Sequence, residues 1–181
     1  MKCVLSSGVG MTKKHFALGL SLLLFFFALP VGATTISIQV VQMDDANVDV
    51  TDSSLLIEEG IMDFMFSQGY IVSNSPIIYN KDKAKNGMKV SLEDAQNGSA
   101  DYLAYITIYF DRGKSVAPES TLLSNIELAQ WKLVKVRGQQ QLDGGTEKPG
   151  QLVNIDDSER GISTFSQQLA EVINSAIKKK R

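Results

Sequence analysis

GSADYLAYITIYFD, residues 98–111, sets a small polar lead-in against a run of aromatic and β-prone residues. In an extended chain Tyr102, Ala104, Ile106, Ile108 and Phe110 share one face, and Leu103, Tyr105, Thr107 and Tyr109 share the other. Both faces are largely apolar, so the stretch predicts a central strand with both faces covered, not an edge strand or an exposed site. Asn97-Gly98 ends whatever helix precedes it. Asp111 to Ser120, with Gly113 and Pro118, reads as the loop that follows.

Upstream of it, Thr35 to Met43 alternates Ile36, Ile38 and Val40 against Val41 and Met43, which predicts a strand. Asp52, Ser53 or Ser54 then offers an N-cap. Leu55 to Gln68 places Ile57, Ile61, Phe64 and Met65 at helical spacing, with Gly69 where a left-handed cap belongs. Tyr70 to Val72 and Ile77 to Tyr79 form an irregular edge segment broken at Pro76. Lys81 to Lys89 reads as a lysine-bearing loop, and Ser91 to Gln96 as one or two helical turns capped by Ser91. Leu122 to Val136 is a partner strand centred on Trp131, and its alternation slips near Leu128 and Ala129 as a bulge would require. Gln139 to Gly150 reads as a polar glycine-rich loop, and Gln151 to Ile155 as a short strand. Ile162, Phe165, Leu169, Val172, Ile173, Ala176 and Ile177 mark a C-terminal amphipathic helix, with Asp156, Asp157 or Ser158 as its cap. The expected fold is α/β (α+β). It has a mixed sheet of about four to five strands, with two main helices and one short helix packed on one face.

The first 33 residues belong to a different class of segment. Lys13 and Lys14 precede the apolar run Phe16 to Val31, and Val31-Gly32-Ala33 fits a signal-peptidase site. Cleavage is expected between Ala33 and Thr34, leaving one domain over residues 34–181. Met11 is an alternative start to Met1. An uncleaved membrane anchor is disfavoured, because the run falls short of about 20 apolar residues and is interrupted by Pro30 and Gly32.

Cys3 and His15 both lie in the leader, so the mature chain has neither residue type. That excludes Ser-His-Asp and Cys-His triads, thiolate nucleophiles and the usual zinc sets. Lys and Arg fall from 18 to 15 against 20 Asp and Glu, a mature charge of about −5, which does not suggest nucleic-acid binding.

Three stretches carry a resemblance: Phe64 to Tyr70 (FMFSQGY), Gly98 to Ile106 (GSADYLAYI) and Trp131 to Leu142 (WKLVKVRGQQQL). Their order is similar to that of a bacterial envelope family comprising the TolB amino-terminal domain, the curli-secretion channel subunit and the lipoprotein activators of penicillin-binding proteins. In that family a helix ends in glycine before a strand, a small helix leads into a "G-A-D-Y-hydrophobic" strand, and a hairpin partner closes on a glycine turn. The resemblance implies a non-enzymatic envelope module that contacts other proteins. The lipoprotein members carry a cysteine directly after the leader. Thr34 stands there in this chain, so no lipid anchor is expected.

Residues of types able to carry chemistry each have an ordinary structural reading. Asp44, Asp45, Asp111, Asp156 and Asp157 could supply a carboxylate pair for hydrolysis, or could cap helices and solvate loops. Asp45-x-Asn47-x-Asp49 opens like a calcium loop, but Val50 and Leu56 stand where glycine and a bidentate Glu belong. Ser175-Ala-Ile-Lys178 spells Ser-x-x-Lys without its companion motifs. Lys81, Lys83, Lys85 and Lys89 form one basic cluster and Lys178 to Arg181 another, both readable as solvated surface. Tyr102, Tyr105, Tyr109 and Trp131 could stack on a ligand or pack in the core. The sequence therefore points to a periplasmic or secreted binding or adaptor module with no catalytic, cofactor or metal residues and an envelope protein as partner. A soluble periplasmic binder of a small molecule or glycan is the alternative, and a carboxylate-dependent hydrolase the third reading.

Overall fold

The structure is a computed structural model, and it describes residues 33–44, 49–79, 81–115, 117–149 and 156–180. Its main elements are β1 (Thr35–Met43), α1 (Asp52–Ser67), β2 (Ile71–Asn74), α2 (Lys81–Asn97), β3 (Tyr102–Phe110), β4 (Ile126–Lys135), β5 (Gln140–Glu147) and α3 (Glu159–Lys180). The strands form a mixed sheet in the order β2-β1-β3-β4-β5, which makes β3 the central strand its two apolar faces require. β1 runs parallel to β2 and β3, while β3, β4 and β5 form an antiparallel meander. The α/β class and the mixed sheet are as the sequence predicts.

The helices do not share one face. β1 to β2 moves one way across the sheet through α1, and β2 to β3 moves the other way through α2. Right-handed crossovers travelling in opposite directions must lie on opposite faces. On one face Ile57, Ile61 and Met65 of α1 and Phe165, Leu169 and Ile173 of α3 pack on Ile36, Ile38, Val40, Ala104, Ile106, Trp131 and Leu133. On the other, Ala84, Met88, Leu92 and Ala95 of α2 cover Val41, Leu103 and Tyr105. Each fully buried Leu, Ile or Phe contributes about 1.5–3 kcal/mol, so the first and larger cluster dominates stability.

α2 itself corrects the reading of Lys81 to Lys89 as a loop and of Ser91 as a cap. The helix is continuous over 17 residues. Its exposed side is tied by Lys85 to Asp82 at 2.9 Å and by Lys89 to Glu93 at 4.0 Å, while Ala84, Met88, Leu92 and Ala95 form a narrow apolar stripe. Gly87 looks like a breaker but is a contact point. A Cβ there would lie 2.7 Å from the Tyr105 hydroxyl and 3.0 Å from Ile78 Cδ1. Ser91 sits inside the helix, its Oγ 2.8 Å from the Gly87 carbonyl and 2.9 Å from Gln39 Oε1.

β5 corrects the second loop. Gln140 to Glu147 pairs along β4, and Gly145 stands directly opposite Trp131. A Cβ on Gly145 would come within 2.9–3.3 Å of the indole, so the glycine makes room for the ring. The short strand expected over residues 151–155 lies outside the described residues. The bulge expected near Leu128 and Ala129 is present one residue earlier: Tyr109 pairs with Leu128 and Phe110 with Ile126, leaving Glu127 unmatched. α1 starts three residues before the expected Leu55, its N-cap being Thr51, whose side chain accepts from the Ser54 amide. Gly69, at φ 83°, ends it in the left-handed region as expected.

Candidate functional site

Two surfaces stand out among the described residues once the core is accounted for. The first is a groove of about 510 Å³ where α2 stops short of covering the sheet. Alternation along three neighbouring strands supplies its floor: Val41 and Met43 from β1, Tyr105, Thr107 and Tyr109 from β3, and Gln130 and Lys132 from β4. Ala84, Lys85 and Met88 of α2 form its wall. The volume falls within the roughly 300–1,000 Å³ of small-ligand sites.

Register explains the chemistry of that floor. Tyr105 faces Lys132 across the β3–β4 ladder, and Thr107 faces Gln130. The Tyr109 hydroxyl donates to Gln130 Oε1 at 3.3 Å. Burial raises the Tyr105 phenol above its ordinary 10.0, with Tyr109 adding to the shift, so it stays a neutral donor at physiological pH. Lys85 is paired with Asp82, whereas Lys132 makes no ion pair among the described residues. Its other cross-strand neighbour is Gly144, which has no side chain to cover it.

The second surface is the β2 edge. Among the described residues β2 pairs with β1 alone, and the amides of Ile71 and Ser75 donate to Thr34 and Ile38 carbonyls. In a parallel ladder the alternate residues Val72 and Asn74 then direct their backbone groups outward. Val72 packs into the α1 face, so Ile71 projects to the opposite side and is 55% exposed. Phe66, in the last turn of α1, is 74% exposed. β5, at the far edge, instead presents Asp143, two glycines and Glu147, which blunt it against pairing.

Glu58 lies behind β2 on α1, 9% exposed, with Oε1 unpartnered among the described residues. Burial raises its carboxyl above the ordinary 4.5, and a hydrogen bond with Asn74 offsets this only in part. A raised acid favours the folded state at low pH. That advantage is complete below the unfolded value and is lost as pH rises through the folded one. Glu58→Gln is therefore expected to raise the melting temperature at pH 7 and to lose that gain at pH 4. Paired thermal melts check this, and an equal effect at both pH values would contradict it.

The residues singled out from sequence do not converge. Asp44 forms a buried pair with Arg112 at 3.0 Å, and Asp111 pairs with Lys114. Asp157 accepts from the Ser124 amide at 2.8 Å, and Asp156 is exposed. Asp45 and Asn47 lie outside the described residues, and those residues contain no cluster of three metal-ligating side chains. Ser175 is exposed on α3, and Lys178 donates to Gln68 Oε1 at 3.4 Å. The Asp111 to Ser120 loop is braced internally, with Arg112 Nη1 donating to the Pro118 carbonyl and Asn125 Nδ2 to that of Ser120. The aromatic set divides: Tyr102 and Trp131 are buried beneath α1 and α3, while Tyr105 and Tyr109 line the groove.

What sequence reading missed is a buried glutamine hub. Gln42 Oε1 accepts from the Thr51 amide at 2.9 Å, the Thr51 hydroxyl at 3.2 Å and the Ser54 hydroxyl at 2.8 Å, and its Nε2 donates to the Asp49 carbonyl at 2.9 Å. It ties the end of β1 to the start of α1. The only sequence signal was a polar residue within an apolar strand.

Among the described residues no helix is long and apolar enough to cross a membrane. The chain is similar to several solved structures. PelC from Paraburkholderia phytofirmans, a dodecamer, is 16% identical, with 80% of this chain and 86% of that chain covered and a TM-score of 0.47. TolB from Acinetobacter baumannii is 15% identical, with 80% and 28% covered and a TM-score of 0.44. Lipoprotein GNA1162 from Neisseria meningitidis is 15% identical, with 81% and 99% covered and a TM-score of 0.40. TolB is among the proteins the sequence resembles, and the likeness is one of fold. No curated protein matches the sequence. The family model described as "Uncharacterised protein" matches residues 35–178, and the chain belongs to that family.

Proposed function

We propose that the chain is an exported, non-enzymatic binding module of the bacterial cell envelope, which engages an envelope protein by adding a strand of that protein to the β2 edge. The observation that carries this is an open, uncharged edge strand with Ile71 exposed on it and Phe66 exposed in the last turn of α1, the helix that leads into it. Backbone groups at Val72 and Asn74 would supply affinity, and the two exposed apolar side chains would supply selectivity. The leader read in residues 1–33 and the absence of His and Cys from the mature chain support the same reading.

The test uses mature protein, residues 34–181, as bait for envelope extracts. Wild type is expected to retain one partner that the double variant Phe66→Lys, Ile71→Lys releases, because each lysine places an unpaired charge against an apolar contact. Both positions are exposed, so the variant is expected to keep its fold, checked by circular dichroism. Equal retention by the two baits, or no specific retention by wild type, would overturn the reading.

A further inference from the structure

We propose that the α2 groove is a separate binding site for a small aromatic monocarboxylate, with the ring lying among Tyr105, Tyr109, Met43 and Met88 and the carboxylate paired with Lys132. The groove is built from β1, β3, β4 and α2, without β2, so it is independent of the edge contact.

Three observations favour this class of ligand over others. The lining combines two phenol rings with two thioethers, groups that attract the faces and edges of aromatic rings. Its charge is of one sign: Lys85 and Lys132 line the groove, and among the described residues no carboxylate does. Of the two lysines, Lys85 already has Asp82 as partner, which leaves Lys132 to meet an anion. The Tyr105 hydroxyl accepts or donates no hydrogen bond among the described residues, and it adds a second polar group directly across the ladder from Lys132. A single acid group on a flat apolar body satisfies all of these at once, and a neutral glycan would leave the lysine unused.

The experiment titrates intact mature protein with 2-naphthoate by calorimetry, beside its neutral analogue 2-naphthylmethanol and the acyl acid decanoate. Trp131 lies buried on the opposite face, so its fluorescence is not the readout. Saturable one-to-one binding of 2-naphthoate is expected, weakened about tenfold by Lys132→Met through loss of a charged hydrogen bond. Tyr109→Leu is expected to weaken it too, through loss of a ring contact. The Phe66→Lys, Ile71→Lys variant should bind unchanged, which separates this site from the proposed protein contact. No saturable binding, equal binding of the neutral analogue, binding of decanoate as tight as that of naphthoate, or indifference to both groove substitutions would each overturn the proposal.

Discussion

Gly60→Val is expected to lower the melting temperature by about 10 °C, through an overpacking cost of about 3 kcal/mol in a domain of this size. Gly60 is buried in α1 where it crosses α3. A Cβ there would lie 1.9 Å from Ser166 Oγ and 3.0 Å from Ser166 Cβ. The Oγ is itself held, donating to the Ser163 carbonyl at 2.7 Å, so it cannot swing aside without losing that bond. The clash therefore separates the two helices that hold the larger core. The same geometry sets a rescue. Ser166→Ala removes the nearest atom, so Gly60→Ala is expected to be tolerated in that background, helped by the gain of about 0.8–1 kcal/mol for alanine over glycine in a helix. Gly60→Val should not be rescued, because its extra methyl groups meet the remaining Cβ. Denaturant unfolding of the four variants measures this, and a stable Gly60→Val alone would contradict the helix crossing.

Gln42→Leu is the second large effect, expected to cost roughly 3 kcal/mol or more, since each buried polar group left without its partner costs about 1–3 kcal/mol. Leucine fills a similar volume, yet removes the acceptor of the Thr51 amide and of both hydroxyls, which keep each other at 3.1 Å, and the donor to the Asp49 carbonyl. Thr51→Ala alone should cost about 1 kcal/mol, the usual value of an N-cap. Because both residues belong to one network, the double variant is expected to cost less than the sum of the two, by about 0.5–3 kcal/mol. Equilibrium unfolding in urea checks both statements. Strict additivity would show that the hub and the cap act separately.

The sheet was legible because its central strand announces itself: Tyr102 to Phe110 is apolar on both sides, and a strand of that kind has to be covered on both. α3 was legible because its seven apolar residues follow helical spacing without interruption. The misreadings share a cause. Gly87 and Gly145 resemble breakers, and each instead marks an approach, by the Tyr105 hydroxyl in one case and the Trp131 ring in the other. The reason for such a glycine lies on another strand or helix, out of reach of a local pattern. α2 was further hidden because its apolar stripe is only one residue wide at most turns, set among lysines. The groove is illegible for the same reason: without α2 as its wall, Tyr105 and Tyr109 have nothing to face. The β2 edge was legible in part, since Pro76 marks the segment as an edge, but the exposure of Phe66 depends on which face of α1 turns to the sheet.

The β2 edge is the proposed meeting point with a partner protein. The most direct measurement places a photo-cross-linking amino acid at position 66 or 71 of the full chain in living cells, with the exposed position 90 on α2 as the reference. One discrete adduct with an envelope protein is expected from positions 66 and 71 and none from position 90. Adducts arising from position 90 alone, or from no position at all, would contradict it.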